Sequence, residues 1–268
     1  MRLISALEYG QDKLERAGIG SARLDTLILL EDMLHKDRSW ILAHPEHEIS
    51  AGQFRKLDRK LERRQKHTPL AYIRGFTEFY GRRFKVNRFV LEPRPESETM
   101  IELLLKLDLP SKPAIADIGT GNGAIGITAA LEIPGSRVDL YDISSGALAV
   151  AKHNTQLHEL RMHTRKMNLL SRPLRPYDAI VCNLPYVPNT WEINQAALAE
   201  PKIAIFGGPD GLDLYRKLFH QLRRFTWQPR YVLTEALPPQ HAALAAIAQD
   251  NGFSLHSSED FIQVFQNT

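Results

Sequence analysis

The 268-residue chain predicts an α/β fold, a doubly wound and mostly parallel sheet preceded by a small helical domain. Two observations carry that reading. From about residue 113, short apolar runs alternate with longer amphipathic ones, the strand–helix rhythm that builds a parallel sheet. Before residue 70 the apolar residues recur at helical spacing instead, and an aromatic, alternating segment with a turn glycine at Gly81 separates the two regions.

The helical part begins with LISALEYGQDKLERAG, where Leu3, Leu7, Leu14 and Ala17 recur near the helical period. SARLDTLILLEDMLHK follows, with Leu24, Leu27, Ile28, Leu30, Met33 and Leu34 on a broad apolar face and Ser21 placed to cap it. A third helix covers AGQFRKLDRKLERRQKH. On it Arg55, Arg59 and Arg63 fall four residues apart with Lys56, Lys60 and Arg64 beside them. The basic stretch 55–66 reads as a solvated face, or as a docking surface for an acidic partner such as RNA or a ribosome-associated protein. Residues Phe79 to Val90 alternate as a hairpin would, and Pro93 and Pro95 then precede a helix carrying Glu96 and Glu98 in its first turn, where the helix dipole favours acids. The expected organisation is a helical bundle over 1–70, a hairpin linker over 71–93 and an α/β domain over 94–268.

In the α/β part, AIADI (114–118) reads as a buried strand, followed by the turn GTGNG and the helix AIGITAALEI. RVDLYD (137–142), YDAIVCN (177–183) and RYVLTEA (230–236) are further strands, with helices in SSGALAVAKHNTQL, GLDLYRKLFHQLRR and PPQHAALAAIAQDNG between or after them. FSLHSS and DFIQVFQ close the chain as two short strands.

Composition narrows the function classes. A hydrophobic content of 43% supports a real core, and a net charge of +3 is too mild to argue for nucleic acid by itself. One cysteine, Cys182, excludes an internal disulfide framework and reads as a buried strand residue. The ten histidines show no metal-ligand spacing. Glu8 and Asp12 interrupt any apolar leader, and no apolar run approaches the roughly 20 residues of a membrane span. The expectation is a monomeric, cytoplasmic protein that binds neither metal nor membrane.

Three motifs carry chemistry. In DIGTGNGAIG, Asp117 to Gly126, the glycines at 119, 121 and 123 let the backbone turn sharply and pass close beneath a ligand at the end of a strand. Asp142 ends the next strand, where a carboxylate can accept from both hydroxyls of an adenosine ribose. NAD and S-adenosyl-L-methionine both carry that ribose. NLPYVP, from Asn183, decides between them. An amide or arylamine nitrogen is a poor nucleophile, and two acceptors, the Asn183 side-chain oxygen and the Leu184 carbonyl, would pin its NH₂ group toward a methyl donor. Tyr186 would pack on the planar group, and Pro185 stiffens the corner so that the geometry is set by folding.

These residues resemble class I S-adenosyl-L-methionine-dependent methyltransferases acting on planar nitrogens. SARLDTLILLEDML, PLAYIRGFTEFYGRRFKVNRFVLEPRPESE and AEPKIAIFGGPDGLDLYRKL extend the likeness to the release-factor glutamine methyltransferases (HemK/PrmC). The resemblance implies a Rossmann-like, seven-stranded sheet with a helical N-terminal domain joined by a β-hairpin. It implies methyl transfer from S-adenosyl-L-methionine to the glutamine amide in the Gly-Gly-Gln loop of peptide chain release factors. Asn183, Pro185 and Tyr186 would be catalytic, and Asn183 through Tyr186 would hold the glutamine. Asp117, Gly119, Thr120, Gly121, Gly123, Asp142, Asn168 and Asn183 would hold the cofactor, with Arg94, Pro95 and Glu98 nearby. The family corner is usually Asn-Pro-Pro-Tyr, and Leu184 replaces its first proline. Asn168 stands where an acid is usual, and the glycine soon after Glu235 is missing. Asn-Leu-Pro-Tyr also resembles the ribosomal RNA adenine dimethyltransferases, whose substrate amine the same two acceptors would satisfy. A non-catalytic S-adenosyl-L-methionine-binding paralogue is the third reading.

Overall fold

The helical spacing before residue 75 produces α1 (Leu3–Glu15), α2 (Ala22–Leu34), α3 (Arg38–Ala43), α4 (Ala51–Gln65) and α5 (Leu70–Arg74) in the computed structural model, which describes residues 1–193 and 195–268. Contacts divide the chain into two units, Met1–Gly75 with Asn194–Ala199, and Phe76–Ile193 with Glu200–Thr268. The first unit closes over Leu3, Leu7, Leu14, Leu29, Leu30, Leu57 and Leu61. α4 starts from a capping box in which the Ser50 hydroxyl accepts from Gln53 N and the Gln53 side chain accepts from Ser50 N. A nearly buried Arg64–Asp25 pair at 2.6 Å ties α4 to α2.

Two expectations for α2 differ from what forms. Leu24 is exposed while Thr26 is buried, its hydroxyl donating to the Ala22 carbonyl. Ser21 sits at the N-cap but its side chain makes no capping bond. On α4, Arg55, Lys56 and Arg59 are exposed, whereas Arg63 donates to the Tyr72 carbonyl and Arg64 faces Asp25.

The second unit opens with the hairpin β1 (Phe76–Phe79) and β2 (Arg82–Lys85), whose Phe79 and Phe84 are buried in its core. A 3₁₀ turn at Pro95–Ser97 leads into α6 (Glu98–Leu105). The sheet strands and their helices then follow as β3 (Ala114–Ile118), α7 (Ala124–Glu132), β4 (Arg137–Asp142), α8 (Ser145–Leu157), β5 (His163–Lys166) and β6 (Ala179–Cys182). After α9 (Gln195–Leu198), which groups with the first unit, come α10 (Asp213–Arg223), β7 (Tyr231–Glu235), α11 (His241–Gln249), β8 (Phe253–Glu259) and β9 (Ile262–Asn267).

The seven strands run in the order β5-β4-β3-β6-β7-β9-β8, parallel except for β9, which is antiparallel to both neighbours. One apolar layer on each face covers the sheet, so β6 reads as a continuous apolar run and β3 and β7 as apolar runs broken only near their carboxyl ends, by Asp117 and by Thr234 and Glu235. β5, with the polar sequence HTRK, is the strand that periodicity does not reveal. It pairs only with β4 at the sheet edge and is largely exposed. Chain order reverses direction between β3 and β6, and a doubly wound sheet leaves its crevice at such a switch point, beyond the carboxyl ends of the strands.

Candidate active site

A cavity opens at that switch point. Gly119, Thr120 and Gly121 follow β3, Asp142 ends β4, Asn168 follows β5, and Asn183, Leu184 and Pro185 follow β6, and all of them line it. Asp117, Gly123 and Tyr186 are not among its lining residues. Of the stretch Arg94 to Glu98, Ser97 reaches the cavity. Arg94 is instead 2.5 Å from the buried Glu200, and Glu98 accepts from Tyr80 N at 2.7 Å. Exposed Phe89, Ile143 and Ile203 give the mouth an apolar rim.

The glycine turn depends on a carboxylate beneath it. Asp117 Oδ2 accepts from the Thr120 hydroxyl at 2.5 Å and from Gly126 N at 2.9 Å, which folds residues 118–126 around a buried acid. Desolvation raises the Asp117 pKa to about 7 against the two hydrogen bonds, and nearby Asp142 adds to the rise. Gly121 has φ +56°, a left-handed conformation, and a Cβ there would meet only the Gly119 carbonyl oxygen, at 4.0 Å, so the backbone forms a bare cradle. Asp142 secures the other wall: its Oδ2 accepts from Gly121 N at 3.0 Å and its Oδ1 from Ser144 N at 2.7 Å. Burial raises its pKa, with the backbone donors of Ser144, Gly121 and Ile143 opposing.

Asn122 supplies a polar atom that the protein leaves unused. Its Oδ1 accepts from Ala124 N at 3.1 Å, and its carbonyl accepts from the buried Asn154, which also bonds Lys85 on β2. Its Nδ2 is buried and has no partner among the described residues, yet Asn122 lines the cavity. A cradle free of side chains, an acceptor carboxylate and an orphan donor fit a ligand with both hydroxyl and anionic groups.

The corner after β6 is held on three sides. Val187 N donates to the Ile205 carbonyl and Gly207 N to the Val187 carbonyl, both at 3.0 Å. Gln240 Nε2 donates to the carbonyls of Tyr186, at 2.8 Å, and Asp210, at 2.7 Å, so the GGPDG turn and the start of α11 clamp the corner together. Leu184 N donates to the Tyr215 hydroxyl at 3.3 Å, which in turn donates to the Glu235 carbonyl.

Behind the corner lies a buried acid that sequence reasoning missed. Glu235 ends β7 and is 1% exposed. Its Oε2 accepts from the Ser97 hydroxyl at 2.5 Å and its Oε1 from the Tyr186 hydroxyl at 3.0 Å. Asn183 Nδ2 donates to Ser97 Oγ at 3.0 Å. Burial raises the Glu235 pKa, while Ser97, Tyr186 and Asn183 hold it down. Burial, then the Glu235 carboxylate, also pushes the Tyr186 phenol up, so it stays a donor at neutral pH. The one available signal was the charged residue ending the apolar strand YVLTE. Cys182 is buried beside this site, its thiol toward the Leu233 carbonyl, and burial keeps it protonated. Among the described residues no helix is long and apolar enough to cross a membrane, and no group of three or more His, Cys, Asp or Glu could hold a metal.

Comparison with known proteins agrees with this architecture. Residues 5–75 match the PrmC N-terminal domain and residues 97–200 the methyltransferase small domain. The hMettl16 catalytic domain shares the fold with a TM-score of 0.56 at 13% identity, over 82% of each chain. A methyltransferase from Pyrococcus furiosus has a TM-score of 0.51 at 16% identity, over 70% of this chain and 89% of that one. The bifunctional methyltransferase of Rickettsia bellii is 30% identical over 96% of this chain, which spans about half (52%) of that longer protein. The release factor glutamine methyltransferase of Coxiella burnetii is 36% identical over 86% of this chain and 84% of its own. That of Koribacter versatilis is 38% identical over 83% and 81%. With likeness of that degree running through both the helical unit and the glycine-loop sheet, the chain belongs to the release factor glutamine methyltransferase (HemK/PrmC) family of S-adenosyl-L-methionine-dependent methyltransferases.

Proposed function

We propose that the chain transfers a methyl group from S-adenosyl-L-methionine to the side-chain amide nitrogen of the glutamine in the Gly-Gly-Gln loop of peptide chain release factors. The observation that carries this reading is the orientation of Asn183. Its Nδ2 is committed to Ser97, which leaves Oδ1 as the uncommitted acceptor of a residue that lines the cavity, with Leu184, also in the lining, next in the chain. Two neighbouring acceptors suit a planar NH₂ group and no hydride acceptor. The relatives' names supply the substrate.

The cofactor, when bound, supplies a methyl carbon already activated on a sulfonium, so the chain's own part is positioning. Asp142, its carboxylate fixed by Gly121 N and Ser144 N, would accept from the ribose hydroxyls. Asn122 Nδ2 would donate to the anionic end, and Gly119 to Gly121 would let that end lie against the backbone. Asn168 stands in the lining where it can bond a base edge. Asn183 Oδ1 and the Leu184 carbonyl would each take one N–H of the glutamine amide, aiming the lone pair at the methyl carbon. Their partial negative charge also stabilises the positive charge that reaches nitrogen. No general base is needed, since a methylated amide cation gives up its proton to water.

Labelled S-adenosyl-L-methionine tests the reading directly. The expected outcome is label on a release factor, none on the same factor with its Gly-Gly-Gln glutamine replaced, and none on naked ribosomal RNA. Label persisting on the glutamine variant would refute the glutamine assignment, and label on the RNA would support an adenine amine. Asn183→Ala is expected to abolish transfer while cofactor binding persists.

A further inference from the structure

We propose that Glu235 is a positioning residue that sets, through Ser97 and by its own carboxylate, which end of the Asn183 amide faces the substrate. This inference rests on reading Asn183 as the group that holds the substrate NH₂.

An asparagine side chain has two ends of similar shape and opposite polarity, and only the oxygen end can accept from an NH₂ group. The Asn183 backbone does not determine which end faces the cavity. The hydroxyl of Ser97 touches one end, and a serine hydroxyl can donate or accept there. Left alone, it could donate to Oδ1 and turn Nδ2 toward the cavity. Donor would then meet donor, and the substrate nitrogen would be repelled where it must be held.

Glu235 removes that choice. Its carboxylate has acceptors only, so the Ser97 proton points to Oε2 at 2.5 Å, and Asn183 meets nothing but acceptors on that side, the lone pairs of Ser97 Oγ and the carboxylate that it helps to keep charged. Asn183 answers with Nδ2 at 3.0 Å, and Oδ1 is left free. The second carboxylate oxygen performs the same service for Tyr186, whose hydroxyl it draws in at 3.0 Å and whose ring it thereby anchors. These four residues come from three separate segments of the same unit: Ser97 from the 3₁₀ turn, Asn183 and Tyr186 from the corner after β6, and Glu235 from β7. A packing role alone would not require a buried carboxylate, which is costly to bury.

The test uses Glu235→Gln, Ser97→Ala and Ser97→Thr in the full chain, with a release factor as substrate. An amide offers one accepting atom where donors arrive at two, so Glu235→Gln must release Ser97 or Tyr186 although volume and packing are kept. We expect kcat to fall at least tenfold in Glu235→Gln and Ser97→Ala. KM for S-adenosyl-L-methionine and the Kd of S-adenosylhomocysteine should stay within about threefold, and Ser97→Thr, which keeps the hydroxyl, should recover most of kcat. A second readout needs no substrate. The Asn183 side-chain NH₂ resonance, identified by its absence in Asn183→Asp, should be protected from exchange with water in the native chain and lose that protection in both variants. Unchanged kcat in both variants, or unchanged protection in both, would overturn the proposal. If the native chain does not methylate a release factor at all, the functional reading fails, and the exchange measurement still decides the role of Glu235. Two variants on different elements keep the test open should one not fold.

Discussion

Replacing Gly211 by alanine should disable the corner without touching any residue that lines the cavity. Gly211 has φ +83°, and a methyl group there would overlap both the Tyr186 carbonyl oxygen and Gln240 Nε2. The left-handed backbone alone costs an L-residue roughly 1–2 kcal/mol. The overlap cannot be relieved while Gln240 bridges the carbonyls of Tyr186 and Asp210, so both bonds are expected to break, at about 1 kcal/mol net each. The sum is about 3–4 kcal/mol, enough to move the Tyr186 peptide in preference to absorbing the strain. A misplacement of about 1 Å at a positioning group costs on the order of 100-fold in rate. We therefore expect Gly211→Ala to lower kcat for release factor methylation by about 100-fold. S-adenosylhomocysteine affinity, measured by calorimetry, should fall by less than threefold, because the glycine turn and Asp142 belong to other strands. Urea unfolding of the α/β unit should show the loss of stability. A variant with native kcat would refute the clamp, and one whose cofactor affinity fell as steeply as kcat would show that corner and cradle are not separable.

Two further substitutions probe the cradle. Asp142→Asn sets an NH₂ against either Gly121 N or Ser144 N and removes the ribose acceptor, so the Kd of S-adenosylhomocysteine should rise by roughly 10- to 100-fold in calorimetry, and an unchanged Kd would sink the assignment. Asp117 predicts a pH signature, since its pKa is raised from 3.8 to about 7 on folding. Between those values the native chain keeps a proton that the unfolded chain has released, so its contribution to stability falls as pH rises and has vanished above about 7. Asp117→Asn cannot titrate, and between pH 5 and pH 8 the native chain should lose roughly 3 kcal/mol relative to it in urea unfolding. Parallel pH profiles for the two proteins would refute the perturbed carboxyl.

The sheet and the three motif positions were legible because each is written locally. Glycines at 119 and 121, the acid at 142 and the amide at 183 all follow apolar runs, and a parallel sheet gathers the ends of such runs without further instruction. β5 was illegible because an exposed edge strand needs no apolar alternation, and α3 because six residues hold too little periodicity. Leu24 misled because a helical apolar run wider than its buried face leaves one residue outside. The second half of the site was illegible for another reason. Ser97 and Glu235 are 138 residues apart, and neither has a local partner that would mark it. Their meeting is a product of tertiary packing. Asp117, expected beside the cofactor, accepts from Thr120 and Gly126 beneath the turn and is not in the cavity lining, a placement that spacing cannot foresee because either role puts an acid near the end of β3.

Leu184 gains a meaning it lacked as a missing proline. A proline there would have no N–H, whereas Leu184 N donates to the Tyr215 hydroxyl and so joins the corner to the chain that ends on the Glu235 carbonyl. Its side chain is buried and lies where a Cβ on Gly119 would be 3.0 Å away, so the glycine turn after β3 rests directly on the corner after β6. The carbonyl that would face the substrate is common to both residues. What changes is how that carbonyl is held: proline restricts the backbone by its ring, and leucine restricts it by a hydrogen bond on one side and a van der Waals contact with the cofactor cradle on the other. The two motifs therefore meet through one side chain, while the corner's own position is set by hydrogen bonds on its far side, to Tyr215 and to Gln240. A displacement of the Tyr186 peptide, two residues beyond Leu184, can then spoil the placement of the substrate acceptors while the glycine turn keeps its shape.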